Sequence, residues 1–268
     1  MLKRVIDLGL LPVPLPGTAD SFVVPGFLQA LGRDPAEFER YMLDGVRTVG
    51  RDEDLALQPD HPVHVMGSHV ALGYRGNEIS RSKQWFEHDV AEGTTLRYYY
   101  TGHQWRICAA QRSSKTRPRL AALIDQMNKA LGQKTNHVIF TLYRDGKDSI
   151  GLHHDKVRSI SQEATDYILV VKLGENARRF SIYDPVSQQM LWNEPVEPGS
   201  LVVMSPADNQ LVKHGVPEEL GAGQSSSFVM RNITEKLSTQ EVEKNVRRSD
   251  RARDERRAKK MRKEEEKL

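Results

Sequence analysis

Cysteine is almost missing: Cys108 is the only one in 268 residues. That excludes an internal disulfide and any zinc site built from the cysteines of one chain. Long apolar runs are missing too. The longest, such as Ile168 to Val171 and Leu201 to Met204, fall far short of the ~18 residues a membrane-crossing helix needs, so no membrane span is expected. Near the amino terminus Lys3 and Arg4 precede an apolar stretch, but Asp7 and three prolines interrupt it and no small-residue cleavage site follows. The sequence therefore reads without a secretion signal and suits a reducing, intracellular setting, cytoplasmic or nuclear. Also absent are a Gly-x-x-x-x-Gly-Lys phosphate loop, a Gly-x-Ser-x-Gly nucleophile turn and a recognisable nucleophile context for Cys108.

Net charge is only +3, and it is unevenly spread: Val242 to Leu268 carries 12 Lys plus Arg against 7 Asp plus Glu, leaving the rest of the chain acidic. Three segments follow from patterning. Residues 1–95 read as a helical and irregular extension, 96–237 as a β-rich domain, and 238–268 as a charged tail, helical or disordered. The tail has too few large apolar residues to build a core. It is either a solvated helix without a specific role or an arm that contacts nucleic-acid phosphates.

Within the first segment Asp34-Pro35-Ala36-Glu37 predicts a helix start, with Asp34 capping, Pro35 at the first position and Glu37 reaching back. Phe38, Met42, Leu43 and Val46 continue it as an apolar stripe. Residues 68–92 are polar and non-periodic and read as loop or weak strand. A second helix is expected from Pro118 to Leu131, where Leu120, Leu123, Ile124, Met127 and Leu131 recur at helical spacing before Gly132. The period then changes to two. Ile139, Thr141 and Tyr143 share one strand face, and Val138, Phe140 and Leu142 share the other. Further strands are expected at Tyr167 to Leu173, Arg179 to Tyr183, Met190 to Trp192, Ser200 to Met204, Gln210 to His214 and Ser226 to Arg231. Such a run of short strands between Gly, Pro, Asp and Asn predicts a mainly β, α+β fold of sandwich or jelly-roll type.

The chemistry-bearing stretch is Leu152-His153-His154-Asp155-Lys156. On a strand or strand end, His153 and Asp155 project to one side while His154 points away. His214, at the end of an expected strand, supplies a third ligand. Two histidines and a carboxylate on one face of an octahedral metal leave three positions open, enough for a bidentate 2-oxo acid and dioxygen. Arg231, late in the last strand, offers a guanidinium for a dianionic co-substrate. A lone His-x-Asp is weak; the ordered set is stronger.

The stretch Tyr143 to Asp155, with Gly199 to Met204, Asn209 to Pro217 and Tyr98 to Gly102, resembles the corresponding segments of AlkB-type dioxygenases from about Leu96 to Ile233. The resemblance implies a double-stranded β-helix (jelly-roll) core with flanking helices, and iron(II) bound by His153, Asp155 and His214. It implies 2-oxoglutarate and O2 as co-substrates, the former contacted by Tyr143 and Arg231 with Thr141 on the same face. The reaction implied is oxidation of an alkyl group on a DNA or RNA base, by demethylation or hydroxylation. Tyr98, Tyr100, Trp105 and Lys156 fall where the family recognises substrate, although an aromatic run is as readily strand packing. Three departures stand out. Thr141 stands where many members carry Asn. Ser225 or Leu237 occupies the position of a second strand arginine, so one co-substrate carboxylate is left for Lys172 or Arg179. Val157 replaces an acidic residue that many repair members carry. A protein side-chain oxygenase or an inert nucleic-acid-binding module are the alternatives.

Overall fold

The computed structural model describes residues 1–45, 47–48, 65–66, 81–98, 111–155, 159–238, 240–241 and 244. Its larger sheet has eight strands in the spatial order β1 (Val13–Pro14), β2 (Phe22–Val24), β13 (Leu201–Met204), β10 (Ile168–Leu173), β15 (Ser225–Arg231), β8 (His137–Tyr143), β5 (Ser82–Glu87), β7 (Gln111–Arg112). The smaller has four, β12 (Met190–Val196), β11 (Arg178–Tyr183), β14 (Lys213–Val216), β9 (Ile150–His153). Two short pairs complete the strands, β6 (Thr94–Leu96) with β16 (Lys236–Ser238) and β3 (Arg47–Thr48) with β4 (Val65–Met66). The helices are α1 (Leu2–Asp7), α2 (Phe27–Ala30), α3 (Pro35–Leu43), α4 (Ser113–Thr116), α5 (Pro118–Leu131) and α6 (Asp208–Leu211). Among the described residues, no helix is long and apolar enough to cross a membrane.

The chain between β8 and β15 shuttles between the sheets: β8 and β10 lie in the larger, β9 in the smaller, β11 and β12 in the smaller, then β13, β14 and β15 alternate. Each central strand of the larger sheet is buried on both faces, so each carries apolar residues on both sets of alternating positions. One face, built from Val138, Phe140, Leu169, Val171, Phe228 and Met230, packs beneath α3 and α5. The other, built from Ile139, Ile168, Val202 and Met204, meets Phe180, Ile182 and Val196 of the smaller sheet. The expected period-two split of residues 138–143 is therefore the division between two cores.

Helix α5 runs over the expected residues, with Pro118 at its start and Gly132 left-handed (φ 65) at its end. Helix α3 is capped as expected by Asp34, which accepts from the backbone N–H of Ala36 (2.8 Å) and Glu37 (3.0 Å). Glu37 does not close a capping box. Its carboxylate takes Arg119 of α5 at 2.5 Å, an interhelical partner that a local reading cannot see. The strand expected at Gln210 to His214 is also corrected. Asp208 accepts from the N–H groups of Ala19 and Asp20 and from the Ser21 hydroxyl, while its own N–H donates to Ser205 Oγ, so a helical turn forms first. The strand starts only at Lys213.

The segment before residue 96, expected as an extension, supplies β1, β2 and β5 to the larger sheet. It also places Val5, Phe27, Leu28, Phe38 and Met42 in the helix-side core. Phe38 meets Phe228 edge-on at 5.8 Å between centroids. Phe38→Ala is expected to cost about 3–5 kcal/mol and to lower one cooperative unfolding transition in denaturant. A separate, early transition for residues 1–45 with an unmoved main one would refute this shared core.

Candidate metal centre

The register of the smaller sheet brings the two histidines together. In the antiparallel pair β14 and β9, His214 is the direct partner of His153, the spacing at which side chains on one face touch. Their ring centroids lie 4.5 Å apart. The ladder is irregular immediately afterwards, between His214 and Val216. Gly215 sits there because a Cβ would stand 2.7 Å from the Ile150 carbonyl oxygen. Strand β9 ends at His153, and Asp155 follows two residues later, so the sequence-based pairing of positions 153 and 155 is recovered at a strand end. One ligand atom each from His153, Asp155 and His214 lie within 4.8 Å of one another.

Three contacts orient this group. His153 Nδ1 lies 2.8 Å from the Gly151 carbonyl oxygen, which can only accept, so Nδ1 carries the proton and the Nε2 lone pair is left 3.7 Å from Asp155 Oδ1. Asp155 Oδ2 accepts from Arg231 through Nε (3.1 Å) and Nη2 (2.7 Å), with both side chains buried. Asn209, fully buried, clamps the Asp155 backbone. Its Oδ1 accepts the Asp155 N–H at 2.8 Å, and its Nδ2 donates to the Asp155 carbonyl at 3.1 Å. The same residue's own carbonyl accepts from His154 Nδ1 at 2.6 Å, and His154 stays within electrostatic reach of His214.

Electrostatics ready the three for a cation. Burial works to raise the Asp155 pKa, but Arg231, His214 and His153 outweigh it and hold the carboxyl ionised well below the ordinary carboxylate range. Burial lowers His214 to about 3, with His153 adding to the fall. Burial lowers His153 as well. At neutral pH the set is two neutral imidazoles and one carboxylate, and His214 Nδ1 is buried without a hydrogen-bond partner among the described residues. That donor set fits a divalent transition metal.

The remaining sequence candidates divide. Thr141 and Tyr143 are buried on the face of β8 that looks toward the smaller sheet. Tyr143 lies under the Arg178 guanidinium, 5.5 Å away. Arg231 also faces inward, where its Nε and Nη2 hold Asp155. The cavity between the sheets lies at the other end of β15, beside Ser225 and Ser227. Six residues separate Ser225 from Arg231, about 20 Å of strand, too far for one side chain to serve both. Tyr98 is buried and lies beneath Arg231 at 4.8 Å and against His137 at 5.1 Å, so it braces the ion pair and offers no open face to a base. Tyr100, Trp105 and Lys156 lie outside the described residues.

Several residues escaped the sequence reading. Asn209 carries no pattern that marks it as a clamp. Lys83 on β5 is the direct partner of Thr141 and is buried. Burial, together with Arg81 and Arg231, lowers its pKa well below the ordinary lysine value. Arg81 donates to the Ser149 carbonyl at 3.0 Å. Lys83 lies on β5 and Arg81 just before it, and the inward positions Lys83, Trp85 and Glu87 mix charge with one aromatic, so hydrophobic alternation gave no signal. Away from the centre, His88 bridges Ser113 Oγ (3.0 Å) and Asp125 (2.9 Å), but Ser113 is fully buried, which leaves that hydroxyl no room for a substrate.

No family model matches the chain, and no curated relative is found. Among solved structures it is similar to OsALKBH1, at 15% identity and TM-score 0.47, over 81% of this chain and 98% of that one. It is also similar to a 2OG-Fe(II) oxygenase family oxidoreductase from Burkholderia pseudomallei, at 17% identity and TM-score 0.38, over 59% and 68% of the two chains. Likeness this distant assigns no activity, so function is argued from the centre itself.

Two outcomes follow. Asn209→Ala is expected to weaken Co(II) or Fe(II) binding about 10- to 100-fold, read by metal titration; unchanged affinity would remove Asn209 from the centre. His137, buried with neither ring nitrogen hydrogen-bonded among the described residues, has its pKa lowered by burial from 6.5 to about 3. The unfolded chain protonates it first, so its contribution is complete above pH 6.5 and is lost as pH falls toward 3. Below pH 6.5 the denaturation free energy of the metal-free protein should fall more gently in His137→Asn than in wild type, by about 1.4 kcal/mol per pH unit. Parallel curves would refute the assignment.

Proposed function

We propose that the two facing sheets are a double-stranded β-helix and that the chain is an iron(II)- and 2-oxoglutarate-dependent dioxygenase acting on an alkyl group of a nucleic-acid base. The observation that carries this is the convergence of two neutral histidines and one ionised carboxylate within 4.8 Å. His153, Asp155 and His214 would hold the metal. When bound, iron with 2-oxoglutarate and O2 supplies an oxidant that takes hydrogen from a C–H bond and returns hydroxyl, with succinate and carbon dioxide released.

The protein's own part is preparation. Arg231 occupies Asp155 Oδ2 and so steers Oδ1 toward His153, making the carboxylate a one-oxygen donor and leaving coordination positions open. The Gly151 carbonyl sets the His153 tautomer, and Asn209 fixes the backbone that carries Asp155. Asp155 and His214 are buried, while the His153 side chain is 32% exposed, so the group is open on the His153 side. The shuttling strand order supports the β-helix reading, and residues 81–98 join residues 111–238 in one oxygenase unit. For the substrate, the support is the resemblance of the Tyr143 to Asp155 and Asn209 to Pro217 segments, the buried cations Arg81 and Lys83 beside the centre, and the basic tail. Where an N-methyl carbon is hydroxylated, the product collapses to formaldehyde and the free amine.

Anaerobic addition of iron(II) and then 2-oxoglutarate is expected to give a weak visible charge-transfer band that His153→Ala abolishes. In air, succinate formation should rise with methylated oligonucleotides and not with peptides. No band would leave an inert binding module, and stimulation by peptides alone would move the substrate to a protein side chain.

A further inference from the structure

The cavity between the sheets, partly open to solvent, is lined by Tyr143, Lys172, Arg178, Phe180, Ser225 and Ser227 among others. It adjoins the metal centre, because Phe180 stacks on the His214 ring at 5.7 Å and 26°. Its chemistry is unbalanced. Lys172 and Arg178 are both buried, and among the described residues neither makes an ion pair. Lys172 Nζ donates to the Leu173 carbonyl at 2.7 Å and lies 3.5 Å from that of Ser226. Arg178 donates only to carbonyls, those of Asp145 (3.1 Å), Gly146 (3.3 Å), Asp148 and Pro217 (3.2 Å). Arg178 Nε and Ser225 Oγ are buried with no hydrogen-bond partner among the described residues. Glu39 and Glu197 act on Lys172 from beyond ion-pair distance, and two like charges beside unsatisfied donors in a low-dielectric pocket are still steadied by an anion in direct contact.

Resting on the function proposed above, we propose that Lys172 and Arg178, with Ser225 Oγ, hold the distal carboxylate of the 2-oxo diacid. They would take the place of the second strand arginine that the resemblance leaves missing at Ser225 or Leu237, of which Ser225 lines this cavity. The topology makes this substitution natural. Lys172 is the direct neighbour of Ser227 across the β10 and β15 ladder, and Ser225 is the direct neighbour of Tyr143 across β15 and β8. A cation moved one strand sideways therefore still opens into the same space. Burial lowers the Lys172 pKa to about 8, Glu39 opposing and Arg178 adding to the fall, so the ammonium is still charged near neutrality. Arg179 also lines the cavity, but its guanidinium donates to the Asn193 carbonyl at 2.7 Å and pairs with Glu219.

The test uses the full chain loaded with Mn(II), which binds the ligand without turnover, and titrates 2-oxoglutarate and 2-oxopentanoate by calorimetry. The latter is the same length without a distal carboxylate. Wild type is expected to prefer the diacid, and Lys172→Met to weaken diacid binding about 10- to 100-fold, one charge-assisted hydrogen bond, while leaving the monoacid unchanged. Lys172→Arg should restore most of the preference. Arg178 also ties down the 145–148 turn, so Lys172 is the cleaner probe. Diacid binding that ignores Lys172→Met, or equal loss for both acids, overturns this assignment alone. Mn(II) binding with no response to either acid in wild type overturns the dioxygenase reading and this one with it.

Discussion

The buried contact between Asp155 and Arg231 is the constraint around which the rest is arranged. A carboxylate taken out of water must keep a counter-charge, or it protonates and ceases to be a ligand. Arg231 supplies that charge from the last strand of the larger sheet, across to a residue just past β9 in the smaller. One ion pair therefore ties the sheets together at the point where the metal would sit. Tyr98 and His137 close over the guanidinium from behind. Tyr98, one of the residues that resemble a base-recognition element in sequence, thus turns inward. A neutral pair of apolar residues could hold the sheets together as well, but would leave no charged donor for a cation.

Much of the fold was legible because its drivers are local. Helix α5 announces itself through five apolar residues at helical spacing between a proline and a glycine. Strand β8 is buried on both faces, so its alternation separated two cores rather than core from solvent. What could not be read were elements whose stabilising partners lie far away in sequence. The Asp208 turn depends on residues near position 20, and β5 gains its place from pairing with β8 while showing polar residues inward. The same distinction holds at the centre. The spacing of His153 and Asp155 on a strand end was visible, and His214 followed from order. Asn209 was not visible, since a carboxamide acting on another residue's backbone leaves no trace in composition. Arg231 was identified as an inward guanidinium, yet its partner could only be named once the sheets were placed.

The inner face of the larger sheet is polar at both ends and apolar between them. Arg231, His137 and Glu87 lie toward one end, and Lys172, Ser227, Thr141 and Lys83 toward the other, with Val170, Val229, Ile139 and Trp85 in the middle. That banding sets Arg231 against the Asp155 carboxylate at one end and Lys172 beside the cavity at the other, with an apolar row between them.

The pairing of His214 with His153 has a consequence for how this chain can change. Side-chain direction along a strand reverses with every residue, so sliding β14 by one position would turn His214 outward and bring a neighbour into its place. Between α6 and β14 there is a single residue, Val212. The length of that joint is therefore held tightly, and its residue is held as well, because Val212 is buried in the core between the sheets. A residue gained or lost there would erase the centre while leaving both sheets standing.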